Sequence, residues 1–243
     1  MTSSVPFEKI LEALQIGEIE LQGQFILGSN YTFLVQVRNQ GGQFISVYKP
    51  ERGERPLWDF PFGSLEKREA AAFVVSQALG WELVPPVVYR LDGPYGPGSV
   101  QVFIEHDPEY HYFNFEDADV ARLRPAATFD LLINNADRKG GHIIKDRQNH
   151  LWLIDHGLCF HRDDKLRTVL WDFAGQKIPA ALLRDIRRLQ GQLEEDADLQ
   201  GNLAALLQDE EIAALERRAE RLLASPRYPY PDEQERQFPW PPV

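Results

Sequence analysis

The sequence predicts an α+β fold in which a β-rich first half and a mostly helical second half face each other across a cleft. Three observations predict it. Strand-like segments gather before residue 107, helix-like segments dominate after 108, and a short hairpin between Ile143 and Ile154 interrupts the helices. Three units follow as expectations: residues 1–107 as a first lobe, 108–224 as a second, and 225–243 as a proline-rich arm. A chain of 243 residues is long enough to bury such a core without disulfides or metals as staples.

Each element has its own signal. FEKILEALQ, residues 7–15, reads as a short amphipathic helix. GQFILGSNYTFLVQVRNQGGQFISVYKP reads as a β-hairpin, since Phe25, Leu27, Phe33, Val35 and Val37 alternate with other residues and Asn39-Gln40-Gly41-Gly42 supplies a turn. In SLEKREAAAFVVSQALG, Ser64 is the expected cap of a helix that stops at Gly80. VPPVVYRLDG and GSVQVFIEHD are two further strands joined by the turn-rich GPYGPG, giving an expected order β-β-α-β-β. FEDADVARLRPAATFDLLINN is mainly helical, with an interruption at Pro125, and the polar loop ADRKGGH follows. IIKD and LWLID then pair as a tight hairpin. Pro179 suits the first turn of IPAALLRDIRRLQGQL, and DEEIAALERRAERLLA carries acids in front and arginines behind, which complements its dipole. In the arm, Tyr228, Tyr230, Phe238 and Trp240 favour a packed strap over a loose tail.

Composition narrows the function classes. Hydrophobic residues make up 43% and charged residues 26%, ordinary values for a globular protein. The one cysteine, Cys159, follows an apolar strand and is expected to be buried; a lone cysteine forms no internal disulfide and fits a reducing, cytoplasmic setting. No run approaches the roughly 18 apolar residues of a membrane span, and the opening MTSSVPFEKILEALQIGEIEL has early acids and no apolar core, so it is not read as a signal peptide. With 26 Lys+Arg against 37 Asp+Glu, the net charge of −11 repels phosphate backbones. Neither nucleic acid nor an integral membrane association is expected.

The chemistry concentrates in DLLINNADRKGGHIIKDRQNHLWLIDHG, residues 130–157. Asp137 and Asp155 stand 18 positions apart, joined by a hairpin that returns the chain to its start, so both carboxylates can converge. One acid could then orient or deprotonate a hydroxyl while the other holds magnesium on a phosphate. Each alone also reads as a turn residue or a strand end. Together, with His142 between them and Gly157 just beyond, they read as a site.

ADRKGGHI resembles the catalytic loop of the phosphatidylinositol 3-/4-kinase-like proteins, and LIDHG resembles their metal-binding Asp-Phe-Gly segment. HipA-type kinases share the same arrangement of an Asp and a ligand five places later. The resemblance is closer still to small bacterial members of this family, which carry NNADRKGGH, IDHGLCFH and RTVLWDFAG much as here, and it covers nearly the whole chain. It implies a two-lobed, protein-kinase-like fold with a reduced helical lobe. It further implies ATP with Mg2+ or Mn2+ as cofactors, and γ-phosphoryl transfer to an acceptor hydroxyl that the sequence does not identify. On a chain this acidic, ATP would need a few placed cations and a metal.

By this resemblance Asp137 is the catalytic Asp, Asp155 the principal metal ligand, and His142 the occupant of the second metal-ligand position. Lys139, where the lipid kinases have His, is a candidate to steady the γ-phosphate, or else an exposed loop lysine. Lys49, ending ISVYK, is the candidate for the strand lysine that neutralises phosphates, and Glu69 for the helix glutamate that braces it, with Glu66 one turn earlier as the alternative. Gly28 and Ser29 form the expected turn over the phosphates, and the backbone about Ile104 and Glu105 is expected to meet the adenine. Three departures stand out. His142 replaces an Asn, which suits manganese or argues against ligation. Lys139 replaces a His. The short helical half reduces the acceptor platform. Two other readings stay open: a nucleotide-binding pseudokinase acting through a partner, and a metal-dependent hydrolase in which Asp137, His142, Asp155 and His156 serve water activation. Asn134 and Asn135 read as helix-end residues, and Arg138 as a structural cation paired with a nearby carboxylate.

Overall fold

The computed structural model describes residues 6–25, 31–232 and 236–243. Its first half holds a five-stranded antiparallel sheet of β1 (Glu18–Phe25), β2 (Thr32–Asn39), β3 (Gly42–Pro50), β4 (Val87–Gly93) and β5 (Gly96–Val102), in the order β1-β2-β3-β5-β4. Helix α1 (Phe7–Ile16) lays Ala13 and Leu14 on one face of it, against Val35, Val37, Tyr48, Val88 and Val100. Alternation along β3 then turns Val47 and Lys49 to the other face, towards the second half of the chain.

Strand β1 is an addition to the expected order. EIELQGQF pairs only with β2, only Ile19 in it is partly covered, and its register shifts between Leu21 and Gly23. An edge strand exposed on nearly every residue carries no burial alternation, so period-2 reading passes over it. Helix α2 (Leu65–Leu79) ends at Gly80 with φ +65°, the left-handed stop that glycine supplies at no steric cost. Its front end differs from expectation. The Ser64 hydroxyl donates backwards to the Pro61 carbonyl at 2.6 Å, and the Leu65 N–H is taken at 2.8 Å by the carboxylate of Glu54, which also accepts from Gly63 N–H at 2.6 Å. The cap thus comes from 11 residues upstream, beyond a local capping pattern.

The second half contains α3 (Asp117–Val120), α4 (Arg124–Ile133), the hairpin β6 (Ile143–Lys145) with β7 (Leu151–Leu153), α5 (Ala180–Glu195), α6 (Ala197–Ala204) and α7 (Asp209–Ala224). Pro125 stands in the first turn of α4, so it opens a helix instead of interrupting one. Pro179 precedes α5 as its N-cap residue. The largest apolar cluster crosses residue 107: Ala72, Val75 and Leu79 of α2 belong to one core with Leu132, Leu153, Ile186, Leu189 and Leu215. The buried Arg68 of α2 is paired with the buried Glu211 of α7, and donates to the carbonyl of the fully buried Cys159 at 2.7 Å. Helix α2 therefore couples the sheet to the helical half.

The arm docks mainly through its backbone. Thr168 N–H donates to Gln237 O at 3.1 Å and Gly140 N–H to Pro242 O at 2.8 Å. Tyr228 is buried, but Tyr230, Phe238 and Trp240 remain 74%, 52% and 78% exposed. The expectation of four packed aromatics thus holds in full for Tyr228 alone: Phe238 meets the Trp171 ring at 6.2 Å and Tyr230 lies against Gly175, yet both stay largely exposed, as does Trp240. Among the described residues no helix is long and apolar enough to cross a membrane.

Candidate active site

Helix α4 stops at Asn134, whose φ of +56° turns the chain out of the helix. Its carboxamide fixes that turn by donating to His161 O at 3.0 Å and Asp163 O at 2.7 Å and accepting from Lys165 N–H at 2.9 Å. Asn135 continues it: Nδ2 donates to Asp130 at 3.1 Å and Oδ1 accepts the Asp137 N–H at 2.9 Å. The next residue, Arg138, is fully buried and donates to both Asp130 oxygens at 3.1 and 3.2 Å, to Ile154 O at 2.9 Å and to His156 Nε2 at 2.8 Å. A charge without solvent requires a partner and filled hydrogen bonds. Here those bonds join the loop after α4 to the return strand of the hairpin, and so bring Asp155 back beside Asp137.

Asp155 leaves β7 with φ +63°, a conformation costly for a residue with a Cβ and held by its surroundings. Its carboxylate is a junction. Lys49 Nζ stands 2.9 Å from Oδ1 and His142 Nε2 3.1 Å from Oδ2. The Lys49 ammonium also meets the Glu69 carboxylate, whose second oxygen accepts the His156 N–H at 2.8 Å. Lys139 Nζ lies 3.4 Å from Asp137 Oδ2. Gly157 lets the chain pass close to α2, since a Cβ there would stand 3.2 Å from Leu65 Cβ.

The electrostatics separate the two acids. The Lys49 ammonium holds Asp155 well below the usual carboxylate range, with His142 assisting against burial. Burial pushes Asp137 upward against the pull of Lys139 and His142. Burial alone would lower Lys49, but Asp155 and Glu69 outweigh it and raise it. His156 is pushed well down by burial and by Arg138, so it is neutral. A fixed anion beside a more basic carboxyl is the pairing expected where one acid binds a cation and the other handles a proton.

Lys49, Glu69, Ile104, Asp137 and Asp155 line one cleft of about 500 Å³. Lys139 and His142 reach it through their contacts with Asp137 and Asp155. Glu69, not Glu66, takes the lysine. The Glu105 side chain leaves the cleft and pairs with Arg147. Gly28 and Ser29 lie outside the described residues. His156 is fully buried and does not line the cleft: its Nε2 is bonded to Arg138 and its Nδ1, without a hydrogen-bond partner among the described residues, lies 4.0 Å from Glu69. Among the described residues no group of three or more His, Cys, Asp or Glu side chains is arranged to hold a metal, and Asp155 with His142 forms a converging pair.

Sequence reasoning missed two contributors. Asp130 anchors Arg138 from within α4 and looks like any helical acid. Gln101 interrupts the apolar run VQVFI on the cleft side of β5.

The sequence profile of phosphatidylinositol 3- and 4-kinase matches residues 74–209, more than half of the chain. This chain belongs to the phosphatidylinositol 3- and 4-kinase family. A relative within reach of its whole length is Protein Rv2133c of Mycobacterium tuberculosis, 40% identical over 260 residues, with 93% of this chain and 92% of that one covered. Phosphatidylinositol 4-kinase gamma 4 of Arabidopsis thaliana is 28% identical over 204 residues, which take in 65% of this chain but 36% of the plant protein. Among solved structures, hydra Fam20 with sugar has a TM-score of 0.57 at 16% identity, covering 92% of this chain and 89% of that one. The Helicobacter pylori proinflammatory kinase CtkA has a TM-score of 0.54 at 11% identity, covering 88% and 94%. These two likenesses show the shared two-lobed, kinase-like α+β fold. The family profile begins inside α2, after Lys49 and Glu69, so the meeting of those two residues with Asp155 is a separate observation from membership of the phosphatidylinositol 3- and 4-kinase family.

Proposed function

We propose that this protein is an ATP-dependent phosphotransferase that moves the γ-phosphoryl group to an acceptor hydroxyl beside Asp137. The observation that carries the reading is the Lys49 ammonium: it meets Glu69 of α2 and stands 2.9 Å from Asp155, in a cleft that Asp137 also lines. Braced by Glu69, Lys49 would exchange Asp155 for the oxygens of a bound triphosphate. Asp155, joined by His142, would hold a divalent cation. Two protein donors fit such an ion, since magnesium and manganese at phosphate sites complete their shells from phosphate and water. When bound, the ion neutralises charge on the β- and γ-phosphates. Asp137, raised by burial, would accept a hydrogen bond from the acceptor hydroxyl and orient it for in-line attack, with Lys139 at 3.4 Å pulling against that rise. The acceptor is taken up by its hydroxyl. The plant relative's name points to an inositol ring, and hydra Fam20 was solved with sugar; both are polyols that such a site would address in the same way. A buried single cysteine and an acidic chain fit work in the cytoplasm, away from nucleic acid.

One observation favours the second reading, binding without turnover. The Lys139 N–H points at His142 Nδ1, 3.5 Å away, which leaves the ring proton on Nε2, donated to Asp155 and not free to ligate. Thermal melting with ATP and manganese separates the outcomes. At about 100 times the dissociation constant, binding adds about 2.7 kcal/mol, or roughly 5–10 °C for a chain of this size. Asp155→Asn is expected to abolish the metal-dependent part of that shift. Asp137→Asn is expected to keep the shift and lose phosphoryl transfer to a hydroxyl acceptor. A wild-type protein whose melting is unmoved by any nucleotide with either metal would overturn both readings.

A further inference from the structure

Lys49 marks the phosphate end of the cleft, so on the ATP reading above the base lies towards Ile104, at the far end of β5. In the antiparallel pairing of β3 with β5, Lys49 stands opposite Ser99 and Val47 opposite Gln101, and directly opposed residues share a face. Gln101 therefore faces the cleft about two strand residues, roughly 7 Å, beyond the lysine. It lines the cleft, is only 7% exposed, and its Nε2 is buried with no hydrogen-bond partner among the described residues. A buried amide left unpaired costs the fold the desolvation of its N–H groups, and a native structure that keeps one asks for an explanation. The neighbouring connector sharpens the question. The Ile104 carbonyl, a natural acceptor for a base edge, already receives His106 Nδ1 at 2.8 Å. A base entering this end of the cleft thus finds one backbone acceptor committed and one side-chain amide free.

We propose that Gln101 reads the nucleobase, its amide donating to N7 and accepting from the 6-amino group of adenine, so that the site selects adenine over guanine nucleotides. A carboxamide matches that edge of adenine with one donor and one acceptor. Guanine presents two acceptors there, N7 and O6, so either orientation of the amide leaves one mismatched pair. The buried Glu66, which lines the same cleft and has Oε2 without a partner, makes the surroundings polar but dry, where such a mismatch is least tolerated.

The test is manganese-dependent binding of ATP, GTP and 7-deaza-ATP, followed by calorimetry on the full chain. The wild type is expected to bind 7-deaza-ATP, which lacks the N7 acceptor, roughly ten-fold more weakly than ATP, and GTP more weakly again. Gln101→Leu is expected to bind ATP and 7-deaza-ATP alike. The wild-type comparison needs no variant, so a misfolded Gln101→Leu leaves the question answered. Equal binding of ATP and 7-deaza-ATP by the wild type sinks the assignment of Gln101 alone. Failure to bind any adenine nucleotide sinks the ATP reading and this assignment with it.

Discussion

Glu66 is a carboxyl that the fold keeps protonated. Burial, with a hydrogen bond shared with Glu54 and the charge of that neighbour, pushes it up to about 10. A carboxyl raised in this way binds its proton more tightly folded than unfolded. Its contribution to stability is present at low pH and is lost as pH rises from the ordinary carboxylate range towards the raised value. Wild-type stability should therefore fall between pH 6 and 9 relative to Glu66→Gln, by up to about 1.4 kcal/mol per pH unit. Parallel melts of the two proteins across that range check it; parallel curves would refute it. Lys49 makes the complementary case. Lys49→Met strips two carboxylates of their partner, one of them the buried Glu69, and is expected to lose nucleotide binding along with roughly 2–4 kcal/mol of stability. A urea titration reads the second effect without reference to the first. The acids of the loop and hairpin were legible from spacing because a hairpin must bring its ends together. Gln101 was not, because nothing local distinguishes a glutamine facing a cleft from one facing water.

At the scale of elements, α2 carries the most weight per residue. Its inner face joins the sheet to the helical half, and its Arg68–Glu211 pair is buried at both ends. Removing one member of a buried pair leaves the other charged and alone, so Glu211→Ala is expected to cost about 3–5 kcal/mol. Arg68→Met combined with Glu211→Leu should cost clearly less, because no orphan charge remains; equilibrium denaturation of the three proteins decides it. The sequence made the end of α2 plain through Gly80, whose conformation is set by one residue. Its start after Ser64 was read correctly, but the capping group was not legible locally, because the cap belongs to Glu54, on a segment with no regular structure. Strand β1 escaped for a related reason: periodicity registers burial, and an edge strand has almost none.

For the whole molecule, the arm and the shared core set how the two halves can move. Residues 236–243 supply carbonyl acceptors to Thr168 and Gly140, the latter three places after Asp137. Deleting that stretch is expected to lower stability by about 1–3 kcal/mol and to speed hydrogen exchange at the Gly140 and Thr168 amides, while the helical core keeps its protection. Unchanged exchange at both amides would show that the strap is idle. The fold as a whole was legible because order of elements and one family-like motif agree on it. What lay hidden was the route by which α2 fuses the halves into one apolar cluster, since that depends on contacts between residues more than a hundred positions apart.

Arg138 has a consequence for how the cleft meets any guest. Its guanidinium grips Asp130, the Ile154 carbonyl and His156 from beneath the floor, out of reach of solvent. It acts as a caliper: the gap between the two acids above is gauged by a part that does not line the cleft. On the proposed ATP reading, closure over a triphosphate would come from the sheet side, where Lys49 and the Ile104 end of the cleft lie, above a floor that Arg138 holds in place.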